Sequence, residues 1–370
     1  MESSECGPRY LPRNNLQSLI DILKGSGYRC IGPIIADDTI LFDEISDVQQ
    51  LPAGKSDIQA PGSWRLSTHN SDRQFAWANG PQALKPFMFK PEQPLWQVER
   101  DDQGHYQFNP VEPQAERLAF IGLRACDLAA LNLQDKHFMQ GLNADPYYSA
   151  QRKNIFMIAV NCSHPAETCF CVSTGDGPQA KDGYDLVLTE LDEGFIIDHG
   201  SDQGHIILQR LKTDTCNTEH TQAAVEQHQQ ACETQQRSLP SNLSQTLFNN
   251  LEHPQWQDVA QRCLSCGNCT SVCPTCFCHS EYEQADISGN SSQHMRHWDS
   301  CFSAGHSYIH GLDIRPDTRF RYRQWLTHKL GSWHEQYGRS GCVGCGRCIS
   351  WCPAAIDITI ETQIICKDAI

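Results

Sequence analysis

Two runs of cysteine with one shared spacing constrain this chain more than any other feature of its sequence. Each run follows the pattern C-x2-C-x2-C-x3-C-P, at Cys263, Cys266, Cys269 and Cys273 and again at Cys342, Cys345, Cys348 and Cys352. Gly267, Gly344 and Gly346 lie between the cysteines, where a tight backbone needs residues without a side chain. Thiols repeated at fixed short intervals indicate a metal or redox centre.

This spacing is the ferredoxin pattern for two [4Fe–4S] clusters. Three thiolates two residues apart can surround one face of a cubane, and in proteins with two clusters the fourth cysteine of each run binds the other cluster. We therefore assign one cluster to Cys263, Cys266, Cys269 and Cys352, and the other to Cys342, Cys345, Cys348 and Cys273. The alternative, two zinc sites, would require two CxxC pairs for each site instead of three cysteines and a displaced fourth.

Length and composition narrow the class of protein. A chain of 370 residues with 39% apolar residues is long enough for two or three domains. We find neither a signal peptide nor an apolar window of membrane-spanning length, so we expect a cytoplasmic protein whose 20 cysteines bind metal instead of forming disulfides. The net charge of −15 argues against a nucleic-acid partner, because phosphate binding needs a basic surface.

The pattern of apolar residues predicts a mixed α/β domain over residues 1–215. Leucine and isoleucine at helical spacing predict a helix over residues 14–27, followed by two short strands with Asp37 and Asp38 in the turn between them. The stretch from there to about Arg100 is expected to be irregular. Apolar runs at 118–123 and 154–160 predict buried strands, joined by a helix that Asp127 caps, and therefore a parallel βαβ unit.

The remaining segments complete the predicted fold. A hairpin is expected around residues 192–194. Residues 216–242 are polar and predict a linker or surface helix, with a plain solvated segment as the preferred interpretation. A mostly helical, ferredoxin-like domain with two clusters is expected over residues 243–370. The fold class is therefore α+β or α/β, with the cluster domain after the βαβ unit.

A second group of thiols follows the two buried strands. Cys126 and Cys162 come just after the carboxyl ends of the strands, and Cys169 and Cys171 lie in the loop after the second strand. Because parallel strands place these ends at one edge of the sheet, the four thiols should converge there. A third [4Fe–4S] cluster is one interpretation. Four buried or unpaired cysteines, packed as small apolar residues, are the other.

Three more cysteines lie near the first run. Cys276, Cys278 and Cys301 are one ligand short of a set for a cubane. They are interpreted either as structural thiols packed against the clusters or as part of a further metal site that another segment completes. Single histidines such as His279 and His297 are expected to be structural. The sequence contains no dinucleotide-binding or phosphate-binding glycine motif, so no catalytic residue is assigned.

Several segments together resemble a known family. They are GLRACDLAAL, NCSHPAETCFC, the two cysteine runs, WDSC and CPAAIDI, with GYRCIGPI, LPAGKSDIQAPGSWRL and NGPQALKPFMF nearer the N-terminus. The chain is similar to the beta subunit of cytoplasmic sulfhydrogenases, which are NADP-linked nickel–iron hydrogenases, and to the electron-transfer subunit of anaerobic sulfite reductases. Ala354 and Ala355 stand where that family often has glycine, which should alter packing and leave cluster binding intact.

The resemblance implies an electron-transfer subunit that is not itself catalytic. Its expected partners are a flavin-containing subunit that oxidises NAD(P)H and the catalytic subunits of a hydrogenase. The alternative is the same role in a sirohaem sulfite reductase. A self-contained enzyme with a catalytic cluster and a zinc-stabilised scaffold are weaker hypotheses, since nucleotide motifs are absent and the ferredoxin run is doubled. Identifying the subunits of the native complex would decide among them.

Overall fold

A computed structural model describes residues 7–140 and 142–367 of the chain. The strands of the described part are β1 (Arg9–Pro12), β2 (Arg29–Ala36), β3 (Thr39–Glu44), β4 (Lys55–Ala60), β5 (Ser63–Thr68), β6 (Glu92–Arg100), β7 (Tyr106–Pro110), β8 (Leu118–Leu123), β9 (Ile155–Val160), β10 (Leu186–Glu190), β11 (Gly194–His199), β12 (Asp214–Thr215), β13 (His279–Ala285), β14 (Ser291–Trp298), β15 (Tyr308–Ile309) and β16 (Leu312–Asp313).

The helices lie around these strands and dominate the C-terminal third. They are α1 (Leu16–Gly25), α2 (Lys85–Met88), α3 (Ala125–Met139), α4 (Pro146–Arg152), α5 (Cys171–Thr174), α6 (Asp202–Arg210), α7 (Thr218–Glu233), α8 (Leu243–Asn249), α9 (Gln255–Arg262), α10 (Asn268–Ser271), α11 (Thr318–Thr327), α12 (Trp333–Tyr337), α13 (Arg347–Ser350) and α14 (Ile358–Lys367). A π-helical turn over residues 328–332 joins α11 to α12. No helix among the described residues is long and apolar enough to cross a membrane.

The main sheet of the N-terminal part has the strand order β12-β1-β11-β10-β9-β8-β2-β3. Its centre is parallel, because β8 pairs with both β2 and β9, and β9 pairs with β10, all in the parallel sense. Every residue of β8 is buried, as a central strand covered on both faces requires. The predicted βαβ unit, the fold class and the hairpin between β10 and β11 are therefore confirmed.

Helix α1 shows why the predicted elements form. Its buried residues Leu16, Leu19, Ile20 and Leu23 repeat at helical spacing and pack on one face of the sheet. Asp37 and Asp38, in the turn between β2 and β3, both have positive φ angles, of 48° and 53°. Two such residues in succession are typical of the tight hairpin turn that matches the twist of its strands.

Two expectations about secondary structure are wrong. Residues before Arg100 are not irregular throughout, because β4 pairs with β5 and β6 with β7. Residues Thr218–Glu233 form helix α7, so the surface helix given as an alternative is present and the preferred interpretation, a plain solvated segment, is wrong. Asn217 accepts a hydrogen bond from the His220 backbone N–H, a capping contact that its sequence position could have indicated.

The cap of α3 differs in detail from the expectation. The helix begins at Ala125, so Asp127 lies in its first turn instead of before it. From there its carboxylate accepts a hydrogen bond from the backbone N–H of Arg124 at 3.1 Å. Asp127 therefore caps the helix from within, as the acidic member of a capping box does.

A second sheet joins distant parts of the chain. Its strand order is β13-β14-β6-β7, and β14 pairs antiparallel with β6. The hairpin that follows the first cysteine run is thus completed by strands from the N-terminal half. The division at residues 215 and 243 stays a prediction, and the strands of this sheet come from both sides of it.

The buried carboxylate of Glu190 fixes the segment that leads from the main sheet to the cysteine runs. It accepts hydrogen bonds from the backbone N–H groups of Gln74 and Phe75 at 2.7 and 2.8 Å, and from Arg13 Nη1 at 2.7 Å. Farther along this segment, Asn79 Nδ2 donates to the carbonyl of Cys345 at 2.8 Å. One carboxylate therefore orders a loop that reaches the second cysteine run.

We expect Glu190→Gln to lower the free energy of unfolding by about 2 kcal/mol, because the amide removes the ion pair with Arg13 and accepts less well from two N–H groups. Urea titration of anaerobically prepared protein measures this change. Asp192→Asn is the matched control, since Asp192 pairs with Arg73 at 2.8 Å but is 86% exposed, and it should change stability by less than about 1 kcal/mol. Equal effects of the two substitutions would contradict the role given to Glu190.

Candidate iron–sulfur centres

The first cysteine run begins where helix α9 ends. Cys263 is the residue after the helix, and the chain then turns through Ser265 and Gly267, whose φ angles are 51° and 73°, into α10, which contains Cys269. The backbone N–H of Ser265 lies 3.4 Å from Cys263 Sγ and donates to it. The left-handed turn therefore aims a backbone donor at the sulfur and returns the next cysteines to the same side.

The second run repeats this geometry. Gly344 and Gly346 have φ angles of 63° and 74°, and the N–H of Gly344 donates to Cys342 Sγ at 3.4 Å. Gly344 thus occupies the place of Ser265 in the first run. A Cβ atom on Gly344 would lie 2.5 Å from the backbone of Phe170 and Cys171, so the second run also needs glycine for close packing against that loop.

The three leading thiols of the first run face a thiol from the second. A cavity is lined by Cys263, Cys266, Cys269 and Cys352, and its wall also contains Cys348 of the second run and the rings of Phe302, Tyr322 and Trp325. Burial raises the pKa of the Cys269 thiol well above its ordinary value, and the charges of Cys263 and Cys352 raise it further. These four sulfurs therefore lie within electrostatic reach of one another.

The second run is completed in the same crossed way. Burial raises the pKa of Cys342 to about 12; the Gly344 N–H opposes this, and the thiols of Cys345 and Cys273 add to it. Burial also raises the pKa of Cys348, and the charges of Cys342, Cys345 and Cys273 raise it further. The fourth cysteine of each run thus lies with the first three of the other, as the assignment from sequence requires. The ligand sets themselves stay predictions.

The groups around these thiols suit an anionic cluster. The side chain of Arg347 is 2% exposed and pairs with Asp127 at 2.8 Å, while its Nη1 atom has no hydrogen-bond partner among the described residues. Its charge acts on the thiols of Cys345 and Cys126. An unpartnered buried donor is costly, and a sulfide or thiolate ligand would satisfy it. The residues present therefore fit [4Fe–4S] clusters.

No group of three or more His, Cys, Asp or Glu side chains within residues 7–140 and 142–367 is arranged to hold a metal ion. A site of that kind has ligands that converge on one ion, whereas each thiolate of a cubane binds an iron of its own.

Cluster binding must also release protons, because the thiols with raised pKa are protonated at neutral pH in the absence of metal.

The second group of thiols lies at the expected edge of the main sheet. Cys126 is in the first turn of α3 after β8, and Cys171 begins α5 after β9. Cys126 and Cys171 share a buried cluster of side chains with Cys345 of the second run. Burial raises the pKa of Cys169, with further contributions from Cys171 and Cys162. The structure thus places the four thiols in one neighbourhood, and their role as ligands stays a prediction.

This neighbourhood adjoins the second run directly. The N–H of Phe170 donates to the Gly344 carbonyl at 2.8 Å, and the Cys169 thiol lies 3.8 Å from the carbonyl of Cys345. The side-chain amide of Gln235 donates to Cys171 Sγ at 3.4 Å. The loop that carries two of the thiols therefore packs against the turn that would hold a cluster.

The remaining three thiols also lie together. Cys278 precedes β13 and Cys301 follows β14, and the backbone N–H of Asp299 donates to the Cys278 carbonyl at 2.9 Å across the base of this hairpin. Contact with the Cys301 thiol has the largest effect on Cys278 and lowers its pKa to about 4. His306 also contacts Cys278, and the ammonium of Lys329 approaches Cys276.

Sequence reasoning missed three residues of these sites. Arg347, Lys329 and His306 come from segments whose position depends on tertiary packing, and isolated charged residues carry no spacing signal. Only His306 could have been noticed, because it follows Cys301 by five positions, within the range found between metal ligands on one loop.

Comparison with known proteins supports the geometry. Residues 262–356 match the family model described as the 4Fe-4S dicluster domain. This segment is a 4Fe-4S dicluster domain. The match begins one residue before Cys263 and ends after Cys352, so it includes both cysteine runs.

The similarity extends beyond the dicluster domain. The chain is 28% identical over 337 residues to "Sulfhydrogenase 2 subunit beta" of Pyrococcus furiosus, with 89% of this chain and 90% of the relative covered. The resemblance inferred from the sequence is therefore confirmed. Since 89% of the chain is covered, the similarity extends well beyond residues 262–356 and includes the part that carries the second group of thiols.

The crossed arrangement makes a specific prediction. Cys352→Ala should abolish the cluster held with Cys263, Cys266 and Cys269 and spare the other, lowering iron by about four atoms per chain. Iron and sulfide analysis with electron paramagnetic resonance of the reduced protein measures this. Cys366→Ala, in α14 of the same region, is the matched control and should retain all iron. Selective loss of the signal from the cluster of Cys342, Cys345 and Cys348 would refute the crossed assignment.

Proposed function

We propose that the chain is the electron-transfer subunit of a nickel–iron hydrogenase complex of the sulfhydrogenase type. The observation that carries this proposal is the pair of crossed cysteine sets in the dicluster domain, taken with similarity to a sulfhydrogenase beta subunit over most of both chains. Each [4Fe–4S] cluster supplies a site that gains or loses one electron. The chain's own residues set where these sites lie and how far they are from solvent.

The two cysteine sets differ in solvent exposure, which suggests where electrons enter or leave the chain. Cys266 of the first set is exposed, and the neighbouring Leu264 side chain is 67% exposed. Cys342 and Cys345 of the second set are 8% exposed each. An electron can therefore enter or leave at the surface near Cys266 and pass inward to the second set.

A third cluster would extend the path into the N-terminal sheet. We propose that Cys126, Cys162, Cys169 and Cys171 hold it. Two observations support this. The loop of Cys169 and Cys171 packs on the second cysteine run, and the guanidinium of Arg347, whose Nη1 atom has no hydrogen-bond partner among the described residues, interacts electrostatically with both Cys126 and Cys345. Arg347 would stabilise negative charge on both sides, since it acts on thiols from each group.

Exposed apolar side chains support a role as one subunit of an assembly. Tyr308, Ile309, Leu312 and Ile314 lie in and beside the short hairpin β15–β16 and are 60%, 54%, 65% and 50% exposed. Four large apolar side chains on one small hairpin are unusual for a surface that faces water alone. We propose that a partner subunit covers this hairpin, and that the partners include a flavin subunit oxidising NAD(P)H and the hydrogenase subunits.

Purification of the tagged chain from its own cells under anaerobic conditions tests the complex. We expect a flavin-binding subunit and a nickel–iron subunit to copurify, and hydrogen to reduce NADP⁺. Cys266→Ala should abolish this reaction while the nickel–iron subunit still reduces a viologen dye with hydrogen. Cys216→Ala is the control and should retain both activities, because Cys216 directly follows the edge strand β12 of the main sheet and belongs to none of the cysteine sets. A sirohaem subunit in place of the hydrogenase would support the sulfite reductase alternative, and a chain without partners would overturn the proposal.

The third cluster has its own test. Cys162→Ser should lower iron by about four atoms per chain relative to the unmodified protein, because one thiolate of the set is lost. Cys162 is chosen because it is the member of the set that is only partly buried. Cys216→Ser, which is also partly buried, should leave iron unchanged. A folded Cys162→Ser protein with its full iron content would contradict the third cluster.

A further inference from the structure

The base of the β13–β14 hairpin gathers three cysteines and a histidine that the sites above do not use. Cys278 comes directly before β13, and Cys301 comes three residues after the end of β14, so the pairing of the two strands brings the two cysteines together. Cys276 is 9% exposed and precedes Cys278 by two residues. His306 follows in the next turn, and its imidazole contacts Cys278.

The carboxylate of Asp299 orients the imidazole of His306. His306 Nδ1 lies 3.0 Å from Asp299 Oδ2, and the backbone N–H of Ser300 donates to the other carboxylate oxygen at 2.7 Å. A histidine held by a carboxylate at one ring nitrogen presents the other nitrogen as a ligand, an arrangement that metal sites commonly use. Asp299 therefore prepares His306 Nε2 to bind metal on the side of the thiols.

Two buried ammonium groups face the same place. The residues Lys85 and Lys329 are 6% and 4% exposed, and in the described part of the chain their hydrogen bonds go to carbonyl and hydroxyl oxygens instead of carboxylates. The thiols of Cys276 and Cys273 lie within electrostatic reach of both ammonium groups. Lys85 Nζ also lies 4.0 Å from the centre of the Trp298 ring. Buried cations require a nearby anion, and thiolate ligands of a metal centre would provide it.

We propose that Cys276, Cys278, Cys301 and His306 hold a further [4Fe–4S] cluster, with three thiolates and one imidazole as its ligands. The position of Phe277 favours a cluster over a single ion. Its ring stacks on His137, with 3.5 Å between ring centroids, so it points away from the side on which its two cysteine neighbours meet Cys301. Side chains two residues apart on an extended chain are about 6–7 Å apart, a spacing that suits separate iron atoms better than one shared ion.

The site also lies beside the second cysteine set. The thiol of Cys276 contacts that of Cys273, which is assigned to the cluster of Cys342, Cys345 and Cys348. On its other side the turn of His306 leads directly into the exposed hairpin β15–β16. The cluster would thus connect the buried second set to that surface. This carrier role rests on the proposed function, whereas the presence of the cluster does not.

Metal analysis of variants of the full chain tests the presence of the cluster. Cys278→Ser should lower iron and sulfide by about four atoms each per chain. His306→Ala should lose about one iron per chain and give the paramagnetic signal of an oxidised three-iron cluster, because one corner loses its ligand. Cys216→Ser and His334→Ala are the matched controls, a partly buried cysteine and an exposed histidine outside these sites, and both should retain all iron.

A conservative variant separates ligation from folding. His306→Cys should keep the full iron content and shift the resonance of one cluster alone, because a thiolate replaces the imidazole. If Cys278→Ser fails to fold, His306→Cys and the metal content of the unmodified protein still test the proposal. Stoichiometric zinc in the unmodified protein, lost on substitution of Cys278, would replace the cluster by a zinc site and overturn the proposal. Unchanged iron and unchanged resonance in folded variants of both Cys278 and His306 would overturn it as well.

Discussion

The ion pair between Arg347 and Asp127 is the contact on which the relation of the two halves of this protein depends. Asp127 belongs to the first turn of α3, beside the sheet edge, and Arg347 begins α13 of the second cysteine run. Both side chains are 2% exposed, and they approach to 2.8 Å. Removing two charges from water is costly, so this pair is stable only where its remaining polar atoms have partners. Arg347 Nε donates to the Gly80 carbonyl at 2.9 Å, and Arg347 Nη1 has no hydrogen-bond partner among the described residues, so a cluster ligand would satisfy it.

Further contacts around this pair explain why the second cysteine run lies close to the second group of thiols. Thr168 Oγ1 lies 2.7 Å from Ser350 Oγ, and Ser350 Oγ donates to Gln59 Oε1 at 2.5 Å. The N–H of Gly62 donates to the Ile349 carbonyl at 3.0 Å, and Trp64 stacks on Trp351. Two separate segments of the N-terminal part, residues 59–64 and the loop of Thr168, thus contact the short helix α13 and the residue that follows it. Such direct packing is what short-range electron transfer between neighbouring centres requires.

Local patterns in the sequence were sufficient for part of this structure. Continuous apolar runs predicted β8 and β9 because central parallel strands are buried on both faces, and regular spacing identified the cysteine runs. The pairing of β6 with β14 could not be predicted, since strands so distant in sequence leave no local trace. The positions of His306, Lys329 and Arg347 beside the thiols could not be predicted for the same reason. Ser265 shows another limit. Its φ angle of 51° is of the kind that sequence reasoning expects only at glycine, so its place in the turn could not be predicted.

The sheet β13-β14-β6-β7 also has a consequence for the order in which the chain can fold during synthesis. The hairpin β6–β7 leaves the ribosome early, but its inner edge stays unpaired until β14 has been made. Unpaired strand edges bind other strands readily, and loop closure over so many residues is slow. We therefore expect the nascent chain to keep this edge open until β14 has been made, an interval in which the hairpin can pair wrongly with other strands.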